Sequence, residues 1–193
     1  MLPTKILVIP GSLRTGSLNA RLAAVAAGAL LRADVEVTRI SLGDYPLPIY
    51  DGDLETKSGV PKQAINLARM VGAHHGVLIV SPEYNSSPPP LLKNALDWVT
   101  RVAEAHQRQG DVLRGRAIAL ASASDGRFGG ARCLAQLRLM LTGCGAMVIP
   151  QQLALSFAGD AYDDRERLKH AADNAALDAM VAQLVRVAQN EMR

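Results

Sequence analysis

Apolar residues alternate between two textures along the chain. Short apolar blocks bounded by Gly, Pro and Ser read as strands, and longer stretches with apolar positions spaced by three or four read as helices. Residues 4–10 (Thr-Lys-Ile-Leu-Val-Ile-Pro) run apolar into Gly11 and predict a first strand. Residues 17–32 predict a helix with Leu18, Leu22, Val25, Ala26, Ala29 and Leu30 on one face. Residues 35–40 alternate as a half-buried strand does, and 41–59, rich in Pro, Gly and Asp, predict a loop. A helix over 61–72 begins near Pro61, where the missing N–H costs nothing. Strands follow at 76–81, 116–121 and 145–149, with helices at 91–104 and 131–142 and a long final helix at 163–190. The last carries Leu168, Ala172, Ala176, Met180, Leu184 and Val187 on one stripe.

Strict β-α alternation with short connections predicts a parallel sheet with helices on both faces. Five strands favour a doubly wound, flavodoxin-like sheet in the order 2-1-3-4-5 over a six-stranded dinucleotide fold. With 193 residues, the whole span 1–193 is expected to be a single domain. Aromatic residues are only 4 %, so the core must be built from Ala, Val, Leu and Ile, which suits buried parallel strands. Two cysteines are too few for a disulfide framework, and residues 1–5 lack the features of a secretory signal. No apolar stretch reaches the ~20 residues of a membrane span. The expectation is a cytoplasmic protein with no membrane partner. The net charge of +3 is spread without a basic run, so no nucleic-acid partner is expected either.

In an open parallel sheet ligands bind beyond the carboxyl ends of the strands, where the winding direction switches. For the order 2-1-3-4-5 that point lies between strands 1 and 3. The loops that should meet there, 11–19, 82–90 and 122–130, are the three most unusual stretches of the sequence. The first, Gly11-Ser-Leu-Arg-Thr-Gly-Ser-Leu-Asn19, opens a helix whose N-terminal N–H groups attract anions. Ser12, Thr15 and Ser17 add hydroxyls and Arg14 a charged fork, which points to a phosphate. The spacing matches neither Gly-x-x-x-x-Gly-Lys-Ser/Thr nor Gly-x-Gly-x-x-Gly. The second loop carries Pro82, Pro88, Pro89 and Pro90, which stiffen it enough to hold a flat ring, and Tyr84 can lie along such a ring or a partner subunit. In the third, Gly126, Gly129 and Gly130 allow close backbone approach, and Ser122 and Ser124 carry hydroxyls. These residues do not by themselves distinguish one mononucleotide from another.

The three motifs Gly11-Ser-Leu-Arg-x-Gly-Ser-x-Asn19, Pro82-Glu-Tyr-Asn-x-Ser-x-Pro-x-x-Leu-Lys-Asn-Ala-x-Asp-Trp98 and Gly126-x-x-Gly-Gly-Ala-Arg132 together resemble the NADPH-dependent FMN reductase family. That family includes bacterial quinone reductases that also reduce chromate and azo dyes. The resemblance runs from about residue 5 to 150. It implies a bound FMN whose phosphate is held by Ser12, Arg14, Ser17, Leu18 and Asn19. The ring would lie against Pro82, Glu83, Tyr84 and Asn85, with Ser122 and Gly126 closing the other side. It implies NADPH or NADH as co-substrate, a small-molecule electron acceptor, and a homodimer or homotetramer. The flavin carries the chemistry, so no protein acid–base pair is expected in catalysis. Arg101, following Asp97-Trp98, is expected on the open side of the ring, where it would attract NADPH phosphates or anionic oxidants.

The competing reading is a flavodoxin-type electron carrier without NAD(P)H oxidase activity. Such carriers are typically acidic, and a net charge of +3 favours an enzyme that recruits an anionic nucleotide. A colourless phosphate-binding enzyme is a third possibility. His74-His75 at a helix end, Cys133 and Cys144 as small apolar fillers, and Trp98 as a packing residue are all read as structural. The polar stretch 101–114 is given no catalytic role.

Overall fold

The computed structural model describes residues 3–105 and 112–190. Five strands form one sheet: β1 (Lys5–Pro10), β2 (Glu36–Arg39), β3 (Gly76–Val80), β4 (Ala117–Ala123) and β5 (Met147–Leu155). Their order is β2-β1-β3-β4-β5 and every neighbouring pair is parallel, as the alternation of elements predicts. Six α-helices connect and cover them: α1 (Leu18–Arg32), α2 (Gly52–Ser58), α3 (Lys62–Gly72), α4 (Pro90–Ala105), α5 (Ala131–Gly143) and α6 (Ala171–Asn190). No described helix is long and apolar enough to cross a membrane.

Side-chain alternation along β1 divides the interior in two. Ile6 and Val8 face a core shared with Leu22, Ala26 and Leu30 of α1 and Met180 and Leu184 of α6. Leu7 and Ile9 face the opposite core, built with Leu67 and Val71 of α3, Leu92 and Trp98 of α4, and Leu134 and Leu137 of α5. Small residues on β4 (Ala117, Ala119, Ala121) let α6 pack closely on the sheet.

Three expectations need correction. The 41–59 segment is not uniformly loop: it holds a 3-10 turn at Leu42–Asp44 and the short helix α2. Asp51 caps α2 by accepting the N–H groups of Asp53 (2.8 Å) and Leu54 (3.4 Å). The fifth strand does not stop at 149. It continues past Pro150 to Leu155 by way of an irregularity that shifts register between Ile118 and Leu120 of β4. Proline fits such a position on an edge strand, where no ladder donor is lost. The last helix starts at Ala171, not 163. Residues 162–168 instead fold into a small hairpin whose Asp163 carboxylate accepts the N–H groups of Arg165 and Arg167 (both 2.9 Å) and the Arg167 guanidinium (2.7 Å). This carboxyl is held well below the usual range, at about 2, mainly by the bond from the Arg167 side chain.

Candidate functional site

Because β1 has β2 on one side and β3 on the other, the chain leaves β1 toward the α1 face and leaves β3 toward the α4 face. The connections after β1, β3 and β4 therefore meet at the carboxyl edge of the sheet. They are bonded to one another. Asn19, almost wholly buried, donates from Nδ2 to the Ala123 carbonyl (2.9 Å), and its Oδ1 accepts the Ala123 N–H (2.9 Å). Glu83 Oε2 accepts the N–H of Cys133 (3.0 Å) in the first turn of α5. The Gly11 N–H donates to the Val80 carbonyl (2.8 Å).

In the first loop, Ser17 caps α1 by accepting the Ala20 N–H (3.3 Å), and Ser12 Oγ accepts the Arg14 N–H (3.3 Å). Among the described residues the N–H groups of Thr15, Gly16, Leu18 and Asn19 have no acceptor within the protein. The first turn of α1 contains no acidic side chain to neutralise this end. Thr15 and the Arg14 guanidinium are exposed beside it; Arg14 makes a long bond of 3.3 Å to the Gly16 carbonyl. Free N–H groups, hydroxyls and an arginine around a positive helix end form a donor set matched to a phosphate.

The second loop is a tight hairpin. Tyr84 and Ser87 exchange two backbone bonds (2.9 and 3.0 Å), and the residues between them, Asn85 and Ser86, have φ of 51° and 64°. Two left-handed residues in a two-residue turn define type I′ geometry, which fixes the backbone direction. Gln136 of α5 holds this turn from below, donating to the Ser86 carbonyl (2.9 Å) and accepting from Ser87 Oγ (2.5 Å). Tyr84 and Asn85 remain exposed at the tip. Glu83 is turned inward. Its carboxylate serves α5, whose N-cap Gly130 has no side chain to cap with, and meets Arg132 at 3.5 Å. This tertiary cap fastens the second loop to the helix after the third.

The third loop closes on glycine. A Cβ on Gly129 would lie 2.5 Å from the Ala154 backbone, and one on Gly130 would lie 1.9 Å from Ser122 Oγ. Both have left-handed φ (57° and 86°), so neither position admits a side chain. Ser122 is fully buried beneath Gly130, and its hydroxyl has no partner among the described residues. The structure thus sets its side chain under the loop and not on the loop surface. Gly126 is exposed and donates its N–H to Ser124 Oγ (3.2 Å). The N–H groups of Asp125 and Arg127 have no acceptor among the described residues.

Four of the expected site residues therefore stand at loop surfaces (Arg14, Tyr84, Asn85 and Gly126), and Ser12 and Leu18 are half exposed. Ser17, Asn19 and Glu83 hold the loops in shape, Ser122 is buried beneath Gly130, and Pro82 is buried against Gly11. Arg101 is not brought to these loops. It sits eleven residues from the start of α4, about 16 Å along a helix that runs back across the sheet. Its Nε donates to the Glu55 carboxylate (2.9 Å), and both side chains are largely shielded. The same stripe of α4 carries Asn94, which accepts the Tyr50 N–H (2.8 Å) and donates to the Pro48 carbonyl (2.8 Å). Trp98 Nε1 donates to the same carbonyl (2.8 Å), and its ring meets Tyr50 edge-on at 5.0 Å. Asn94, Trp98 and Arg101 thus tie down the 48–55 segment, a role that motif reading did not foresee. Cys133 is buried beside Ser81 and Pro82, and burial pushes its thiol up to about 11, so it is no nucleophile at neutral pH.

Known proteins share this sequence pattern and this fold. The chain is 33 % identical over 183 residues to a quinone reductase from Escherichia coli K12, covering 93 % of this chain and 91 % of that one. It is 32 % identical over 166 residues to an NAD(P)H-dependent FMN reductase from Pseudomonas aeruginosa, covering 85 % and 84 %. The fold superposes on the flavoenzyme NAD(P)H:(acceptor) oxidoreductase FerB of Paracoccus denitrificans with a TM-score of 0.81 and 26 % identity, covering 97 % and 98 % of the two chains. Residues 4–160, which include all three loops, match a single family profile, and the chain belongs to the NADPH-dependent FMN reductase family.

Proposed function

We propose that this member of the family binds FMN at the carboxyl edge of the sheet and reduces quinones with NAD(P)H. The observation that carries the reading is the cluster of unpartnered N–H groups at the start of α1, set beside the rigid Tyr84–Ser87 hairpin. The first suits a phosphate and the second a flat ring. Bound FMN would supply the redox chemistry, two-electron transfer from a nicotinamide to an acceptor. The balance is NAD(P)H, a proton and a quinone giving NAD(P)+ and a hydroquinone.

The chain's own residues bind and orient. Arg14, Ser12, Thr15 and the N–H groups of Leu18 and Asn19 hold the phosphate. The hairpin tip, Tyr84 and Asn85, supports the ring without being ordered at the moment of binding, because its backbone is already fixed. The N–H groups of Asp125 and Arg127 would be available to donate to a bound ring and to favour negative charge on it. Nucleotide and acceptor use the same open side in turn, which makes turnover ping-pong. An open side also admits acceptors other than quinones, such as chromate, azo compounds and free flavin. Exposed apolar side chains, among them Leu13, Ile49 and Phe157, favour a homodimer or homotetramer, to be measured by light scattering.

The visible spectrum of the purified protein tests the proposal. Flavin bands that bleach on anaerobic NADPH and return with benzoquinone are the expected result. A yellow protein that NADPH does not bleach makes it an electron carrier. A colourless protein that takes up no added FMN refutes both.

A further inference from the structure

Beside Gly126, on the exposed surface of the third loop, the ring of Phe128 has two guanidinium groups near it. The Cζ of Arg127 is 5.1 Å and that of Arg132 is 4.4 Å from its ring centroid. Phe128 keeps 48 % of its surface exposed although it is among the few aromatic residues of the chain. The charges here do not balance. The carboxylate in reach of Arg132 is Glu83, at 3.5 Å, and it is already accepting the Cys133 N–H. The neighbouring Asp125 accepts the Gly159 N–H (2.7 Å). Arg127 has no carboxylate within ion-pair distance among the described residues, whereas Arg21, Arg101 and Arg167 are each paired with one. The backbone of Arg127 is anchored, its carbonyl accepting from Ser156 Oγ (2.8 Å). The result is a fixed platform with an aromatic face and an excess of positive charge, at the edge of the ring-binding loops.

A flat ring that carries a phosphate complements such a platform. Purine stacks on phenylalanine and on guanidinium planes, and a phosphate takes a bidentate bond from arginine. Resting on the reading of the chain as an NAD(P)H-dependent reductase, we propose that Arg127 on Phe128 receives the adenosine end of the co-substrate and selects the 2′-phosphate of NADPH. NADH, which lacks that phosphate, loses the contact. Arg101 does not compete for this part, since Glu55 holds it.

The test uses the FMN-loaded protein and its Arg127→Ala and Arg127→Lys variants, with two readouts. The first is the ratio of kcat/KM for NADPH to that for NADH at low ionic strength. It should fall about tenfold in Arg127→Ala and recover in part in Arg127→Lys, which keeps the charge but not the fork. The second is calorimetric binding of adenosine 2′,5′-bisphosphate and of 5′-AMP, which needs no turnover. The bisphosphate should bind the wild type more tightly, and the advantage should vanish in Arg127→Ala and shrink with salt. A kinetic ratio and a bisphosphate preference that both survive Arg127→Ala overturn the proposal. Wild-type protein that oxidises neither nucleotide but still shows Arg127-dependent bisphosphate binding refutes the reductase reading and leaves the site standing.

Discussion

Asn19 separates a structural from a ligand-binding role most sharply. The motif places it in the phosphate loop, yet both ends of its amide are spent on Ala123, at 2.9 Å each. Pairing between β3 and β4 ends at Val80–Ala121, so beyond that register the Asn19 amide takes the place of a strand neighbour. Replacing Asn19 with Ala strands a buried N–H and a buried carbonyl. Each unsatisfied group costs about 1–3 kcal/mol, and some water entry moderates the sum to about 3 kcal/mol. For a chain of this length that lowers Tm by about 6–12 °C. The measurement is thermal unfolding of the FMN-free protein, with hydrogen exchange of the peptide around Ala123 as a local probe. Faster exchange there, together with the lower Tm, is the expected result. An FMN-free Tm unchanged by Asn19→Ala, with the loss confined to FMN affinity, refutes the reasoning and returns Asn19 to the ligand.

Glu83 gives a graded series. Glu83→Gln keeps an acceptor for the Cys133 N–H and loses about 0.5–1 kcal/mol of helix-dipole interaction, while Glu83→Ala also loses the cap and costs about 1–2 kcal/mol. Urea unfolding of the FMN-free protein should rank wild type above Gln above Ala, and equal midpoints would remove the cap. Arg14→Ala should weaken FMN binding about tenfold, read by fluorescence titration, and leave the FMN-free unfolding midpoint in place, since its guanidinium is exposed. Alkali should destabilise the fold. Burial raises Cys133 from 9.0 to about 11 and Tyr162 from 10.0 to about 12, so the unfolded chain loses these protons first. Stability is then complete below about pH 9 and falls as pH rises toward 11 and 12. A urea midpoint that stays flat through that window would contradict the burial of both groups. In the same vein, iodoacetamide at pH 8 should leave Cys133 unlabelled until the protein is unfolded.

What could be read in the sequence was whatever depends on local pattern. Strand blocks such as Gly76–Val80 and periodic helices such as Leu18–Arg32 are specified by neighbours, and the winding rule then fixes the sheet order and the loops that converge. Errors came where a turn residue carried the decision. Asp51, a cap, lies within the stretch 41–59 that reads as loop, and the strand read at 145–149 continues through Pro150, which marks an irregularity inside an edge strand. Asp163 organises a hairpin that a helical stripe masked. The convergence of the three loops was legible, but the roles of their residues were not. Whether Glu83 or Asn19 faces ligand or protein depends on partners 50 and 104 residues away, and no spacing rule reports them.

The two margins of the sheet bear on how the protein avoids polymerising. An unpaired strand margin is a template on which further chains can stack, and this sheet has two, β2 and β5. β2 is only four residues long and begins and ends on the exposed charges Glu36 and Arg39. β5 is broken midway by its register shift at Pro150, which interrupts the row of donors a growing fibril would use. Neither margin offers a straight run on which copies can add in register. Crowded chains of this protein are thereby turned away from sheet-to-sheet addition, and any contact between folded copies is left to helices and loops.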